Sequence, residues 1–467
     1  MNHTDIDRGL VENIIQRGMQ NGGDFCETYS EYRIQSSITL EENKIKESKS
    51  RISSGIGIRV LKGEKIGYAY SDVLEKELLL RAADTAAYVA ENKNGTSVNI
   101  GLPADKKAYS CPYTIPSNQK LNLKSELLFR VNDAARRVNE SVYQVNCTYF
   151  DEFKRIEIFN SDGLWKIDEQ SVMNLYAVCL AQKNNTRDIG RAFAGGRYPL
   201  SLFDIEKPEV LGEKAAKQAV SKLSAQPAPA GMLPVVIAKG WGGVLVHEAV
   251  GHGLESDFHR KKTSLYTDKM GQKVASDHVT IVDDGTIPNG RGTLNIDDEG
   301  TKTGRTVLIE NGRLIGLMSD ILNSRLMNIP QTGNGRRMSF REFPNPRMTN
   351  TFIEAGNARE SDLIKGIKKG IYAKQLGGGQ VDITTGNFVF EVGEGYLIEN
   401  GKITYPIRGA NLIGNGPEAM KLVRGVGSDL TIESGTGTCG KDGQNVYVGV
   451  GQPAIFISNM TIGGTSS

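Results

Sequence analysis

Residues 233–259, LPVVIAKGWGGVLVHEAVGHGLESDFH, pass from a short apolar run through a Gly-rich turn into a segment holding three of the protein's five histidines. Residues 247–252 spell HExxxH, one residue longer than the HExxH in which two imidazoles a helical turn apart bind zinc beside a glutamate base. At about 100° per residue, positions five apart on an ideal α-helix diverge by roughly 140°, so His247 and His252 cannot face one metal there. An i→i+5 turn brings them together. Such π-bulges occur inside helices, often at functional sites, and Gly251 has the backbone freedom to accommodate one. The spacing therefore predicts a distorted helix.

Spacing leaves other ligand sets open. Glu248 and His252, at i,i+4, share a face without distortion, which would leave His247 structural. His259 would complete a three-histidine site, though not with metzincin spacing. Cys439, between glycines in SGTGTCG (434–440), is another candidate for the third ligand. A bound zinc deprotonates a thiol, and Cys/His/His with one open position is an acceptable catalytic zinc shell. Against these stands the plain reading of polar residues on a helix surface and a small buried thiol.

Around this stretch, 467 residues exceed one ordinary core. The 39% apolar and 24% charged content with 54 glycines suits a globular protein rich in turns. With 56 basic and 54 acidic residues interspersed, no field that seeks nucleic acid is expected, and Arg336-Arg337 is too short a basic tract to count. The N-terminus is charged and amphipathic, without a signal-peptide core, and no apolar run reaches membrane-span length, so a cytoplasmic protein is expected. Five widely spaced cysteines without CxxC fit a reducing compartment, with Cys26, Cys111, Cys147 and Cys179 structural.

The pattern predicts an α+β fold. Helical spacing covers 5–22, 73–91, 122–138 and 209–224. Strand pattern covers 25–30, 37–42, 54–62, 65–70 and 142–180, with hairpin turns at Gly63-Glu64 and over 160–163. Residues 225–231, AQPAPAG, form the best linker. The expected division is an N-terminal α+β domain over 1–225, of antiparallel sheet with packed helices, serving dimerisation or substrate guidance. A mostly-β domain with a curved or barrel-like sheet over 232–467 would then carry the metal-binding helix. LIENGRLIG (308–316) and LIENGKITY (397–405) each place Asn-Gly between apolar runs, as in type I′ hairpins of one sheet system. Residues 361–369 are the one clear additional helix.

Gly435–Gly440 matches GxGxxG, but the β pattern after it excludes a dinucleotide fold. Asp283-Asp284 and Asp297-Asp298-Glu299 read as solvated turns rather than cation sites. Gly377–Gly379 read as a turn or a place where a substrate backbone approaches.

HEAVGHGLESDF (247–258), GNGRR (333–337), PRMTNT (346–351), GGGQVDIT (377–384), GTCGKDGQ (437–444) and VGVGQP (448–453) resemble the TldD/PmbA family of metallopeptidases, in particular its TldD-type subunit. The likeness is dense from about residue 234 onward and looser before it. It implies zinc held by His247, His252 and Cys439 with Glu248 as catalytic base. It further implies hydrolysis of peptides or unfolded protein segments within a dimer, either a homodimer or a heterodimer with a TldE/PmbA-type subunit, which lacks HExxxH. Two other function classes are weighed: a non-catalytic assembly or modulator protein with structural zinc, and an amidohydrolase of non-peptide amides.

Overall fold

The computed structural model describes residues 7–90, 107–109 and 119–464; Cys111 and the ends of two predicted helices, at 5–6 and 91, lie outside the described residues. Helix α1 (Arg8–Met19) leads into β1 (Phe25–Glu41), β2 (Lys44–Lys62) and β3 (Lys65–Ser71), followed by α2 (Lys76–Ala87), β4 (Lys107–Tyr109) and α3 (Leu121–Val138). Then come β5 (Val142–Asn160), β6 (Trp165–Lys183), β7 (Thr186–Gly196) and a helix over Pro208–Lys222. These strands form one seven-stranded sheet, with β7 paired to β6. Both expected turns are present, closing Lys62↔Lys65 and Phe159↔Trp165. The predicted strands at 25–30 and 37–42 are one continuous β1, and β2 begins ten residues before the predicted Ser54. Its Lys- and Ser-rich start has no apolar alternation because Lys44 to Ile52 are exposed on both faces.

The second half is built around a closed barrel. Gly231–Ile237, Ile455–Gly463, Asn411–Asn415, Asn387–Glu399 and Lys369–Val381 pair in that order, and the last pairs back to both the first and the fourth. Against it lies a six-stranded sheet that includes Ile281–Asp284, Asn350–Ile353 and Gly449–Gln452. The two LIENG segments are both Asn-Gly hairpins with positive φ at Asn311, Gly312, Asn400 and Gly401. They sit in different sheets rather than one sheet system, the first in the six-stranded sheet and the second in the barrel. The additional helix spans Glu360–Lys365, after which the chain turns to strand at Lys369; Ile321–Met327 and Gly416–Lys421 are helices that the sequence pattern missed. Gly377–Gly379 belong to a bulged strand, not a turn. Within AQPAPAG, Gln226–Pro227 pair with Lys402–Arg408 and Ala228 is fully buried.

The acidic runs correct another expectation. Asp283, Asp284, Asp297, Asp298 and Glu299 are all buried rather than solvated. Asp283 accepts four hydrogen bonds, from Asn334 Nδ2, Thr349 N, Thr349 Oγ1 and Thr351 Oγ1. Asp298 and Glu299 dock the long sheet onto the second half: Lys154 lies 3.1 Å from Asp298, and Arg59 lies 2.6 Å from Glu299 and 3.0 Å from Glu27. Arg337 also pairs with Glu27 and stacks on the Tyr29 ring. A carboxylate can be buried at such a junction because each charge meets a partner as it leaves water.

Candidate metal centre

The chain leaves the barrel strand at Ile237 and turns at Gly240, whose φ of 83° favours glycine. After a 3₁₀ turn and Val244–Val246, a π-helical turn spans His247–Gly251, and the His252 N–H donates to the His247 carbonyl. This is the i→i+5 bond the spacing predicts. It brings the two imidazoles edge to face, with ring centroids 5.1 Å apart. Gly251 itself has ordinary helical angles, φ −54° and ψ −54°. Backbone freedom is therefore not why glycine stands there; a Cβ would lie 2.2 Å from Met348 Sδ.

The second component arrives from far along the chain. Cys439 sits on Thr438–Lys441, paired with Gln444–Tyr447 in a two-stranded sheet. Its Sγ lies 3.5 Å from His252 Nε2, and the ligand atoms of His247, His252 and Cys439 lie within 4.8 Å of one another. Tetrahedral zinc, with Zn–N about 2.05 Å and Zn–S about 2.3 Å, separates N from S by about 3.6 Å, close to the Cys439–His252 separation. All three side chains are buried, and Nδ1 of His247 has no hydrogen-bond partner. Burial opposes ionisation of the Cys439 thiol, but the His252 and His247 imidazoles outweigh it and hold the thiol well below its ordinary range. Burial disfavours a charged His252, yet the Cys439 thiolate and Glu255 raise its affinity for a proton well above normal. A site that attracts a proton this way also suits a metal cation.

Around these three residues lies a shell that spacing did not reveal. Glu255 Oε2 lies 3.2 Å from His252 Nδ1, which places a carboxylate acceptor on the ring nitrogen opposite the one that faces Cys439. Lys441 lies 3.0 Å from Glu255 and 2.7 Å from Asp257, and Arg347 donates to the Cys439 carbonyl. Burial alone would raise the Glu255 carboxyl; Lys441 and His252 outweigh it and hold it at about 2. The signals were present as His252/Glu255 at i,i+3 and Cys439/Lys441 at i,i+2, but their meaning depends on the assembled site.

Glu248 is the one partly exposed acid here, its side chain 27% accessible and its Oε2 4.0 Å from His252 Nε2. His259, the other third-ligand candidate, lies outside the group: its Nε2 is 2.8 Å from the Gly253 carbonyl.

Family models of the PmbA/TldA metallopeptidases match in three successive pieces: domain 1 over residues 26–90, the central domain over 114–223 and the C-terminal domain over 230–464. The "Metalloprotease TldD homolog" of Haemophilus influenzae is 43% identical over 95% of this chain and 93% of its own. The "Zinc metalloprotease TldD homolog" of Saccharolobus solfataricus is 28% identical over 96% and 99%. The crystal structure of TldE from Thermococcus kodakarensis superposes with a TM-score of 0.77 at 22% identity, covering 97% of this chain and all of that one.

Proposed function

The chain belongs to the PmbA/TldD metallopeptidase family, and on that premise we propose that it is a zinc-dependent peptidase acting on peptides or unfolded protein segments. Relatives across nearly its whole length are named metalloproteases. The observation that carries the finer reading is the π-turn that sets His247 and His252 beside Cys439, with ligand atoms mutually within 4.8 Å.

In this reading His247, His252 and Cys439 hold the metal. Zinc bound there supplies Lewis acidity, polarising the scissile carbonyl and acidifying a water molecule. Glu248, reachable from solvent and beside His252, takes the proton from the attacking water on its carboxylate and delivers it to the leaving amine. Glu255 keeps the His252 Nδ1 proton in place, so that Nε2 stays a donor of its lone pair. The thiolate adds negative charge and weakens the Lewis acid relative to a three-histidine shell, which fits a slow enzyme.

The buried ligand set favours extended, unfolded substrates over folded surfaces. Among the described residues the strand bearing Cys439 pairs with one other strand, and a peptide would add along its other edge. The N-terminal half would guide substrate or pair subunits, in a homodimer or with a TldE/PmbA-type partner in the cytoplasm. No described helix is long and apolar enough to cross a membrane. The structural-zinc reading requires a fourth protein ligand, and among the described residues no further His, Cys, Asp or Glu joins the group.

The deciding experiment measures zinc content and hydrolysis of a peptide panel for wild type and Glu248→Ala. Retained zinc with activity down about 100-fold or more supports the reading. Retained activity removes Glu248 as base, and a wild-type protein that hydrolyses small amides but no peptide would favour the amidohydrolase class.

A further inference from the structure

A cavity of about 200 Å³ lies between the long sheet and the hairpin that carries Cys439. Thr438, the residue before Cys439, and Val446, its cross-strand partner, both line it. The wall is cationic, with four arginines and Lys154 against two carboxylates. Both carboxylates are already engaged. Asp298 is held by Lys154 and Tyr29. Glu152 accepts from Gln35 at 2.7 Å and from Tyr447 at 3.1 Å. Two of the arginines are matched by acids, Arg33 by Glu31 and Arg337 by Glu27.

The third, Arg197, donates to the Ser171 carbonyl, and the fourth, Arg336, makes no ion pair among the described residues. It is 4% exposed, and its acceptors among the described residues are two carbonyls, Met348 O at 2.5 Å and Tyr447 O at 2.7 Å; Nε has none. Burial lowers its pKa only to about 10, so the charge is present at neutral pH. Two further buried arginines donate to the backbone of the same hairpin and its approach, Arg291 to Gly437 O and Arg347 to Cys439 O. Asp298 lies near enough to favour the Arg336 charge but makes no ion pair with it, and a buried cation hydrogen-bonded only to neutral carbonyls is costly unless an anion arrives to pair with it directly. Both anchors of Arg336 also belong to the metal centre: Met348 packs on Gly251 of the π-turn, and Tyr447 follows the partner of Cys439.

We infer that this cavity is an anion subsite of the peptide-binding site, in which Arg336 receives a carboxylate of the substrate. The inference rests on the peptidase reading above and adds a specificity to it. A guanidinium suits this role because each Nη that donates to a carbonyl carries a second N–H, and a charged contact to a carboxylate gains strength where water is excluded. The carboxylate has two possible sources, the C-terminus of the peptide or an Asp or Glu side chain.

The test uses zinc-loaded full-length protein and two sets of short peptides. One set compares a free C-terminal acid with its amide; the other compares C-terminally amidated peptides carrying a single Glu or Gln at successive positions. Wild-type kcat/KM is expected to favour the carboxylate member of one set by roughly 10- to 100-fold, and the set that shows it identifies the source. Arg336→Met should bring that ratio close to one with zinc content retained, and Arg336→Lys should restore part of it. Peptides cleaved equally within both sets overturn the subsite while leaving the peptidase reading intact. If no peptide is cleaved, by the chain alone or together with a TldE/PmbA-type subunit, the peptidase reading fails and the subsite fails with it. Should Arg336→Met not fold, the wild-type ratios decide alone.

Discussion

Glu255 Oε2 lies 3.2 Å from His252 Nδ1 and 3.0 Å from Lys441 Nζ, with all three side chains buried. Because Lys441 is two residues from Cys439 on the same strand, one carboxylate ties the histidine helix to the cysteine hairpin. Glu255→Gln keeps the shape but weakens the acceptor on Nδ1. Zinc affinity should fall about 10- to 100-fold, read by competition against a chromogenic chelator. Unchanged affinity would show that Glu255 does not orient His252.

Cys439 and His259 separate in one experiment. Cys439→Ala should lower zinc stoichiometry well below one per chain. His259→Ala should leave it unchanged, since His259 is engaged by the Gly253 carbonyl away from the group. Elemental analysis of both purified variants reads the result, and the opposite pattern would transfer the third ligand to His259.

The close approach at Gly251 predicts coupling to Met348. Gly251→Ala places a Cβ 2.2 Å from Met348 Sδ, and overpacking of this kind typically costs 1–3 kcal/mol, so about that loss is expected. Met348→Ala should recover part of it in the double variant. Urea midpoints and zinc affinity for the four-member cycle measure the coupling. Additive effects would mean that the packing against Met348 does not support the π-turn.

Asp168 sets a pH dependence away from the candidate metal site. Burial raises its carboxyl to about 6, although Asn295 and Gln170 donate to it. An acid with a raised folded pKa binds more protons folded than unfolded between the two values, so its contribution to stability falls as pH rises from about 4 to about 6. Asp168→Asn removes that dependence. The variant's stability relative to wild type should improve between pH 4 and pH 7 by on the order of 2–3 kcal/mol, read from urea midpoints at the two pH values. A difference that does not change with pH would place Asp168 in an ordinary ionised state.

Local chemistry made much of this molecule legible in the residues. The Asn-Gly turns, the α+β order and the distorted helix between His247 and His252 all follow from dihedral preference and short-range periodicity, which act between near neighbours. Strand pattern failed where both faces of a strand share one environment, as at the exposed start of β2 and the buried Ile281–Asp284. The acidic runs misled for a related reason. Asp283, Asp298 and Glu299 look like turn residues until Thr349, Lys154 and Arg59 arrive from elsewhere to meet them.

Within six residues, the chain by itself determined that two imidazoles five positions apart require an i→i+5 turn. Only the tertiary structure decided what they face, because Cys439 is 187 residues from His252 and no spacing rule acts over that distance. The same holds for Glu255, Lys441 and Arg336. Each is a charged side chain to which the sequence assigns no role, and each takes one once folding removes water and leaves it particular partners.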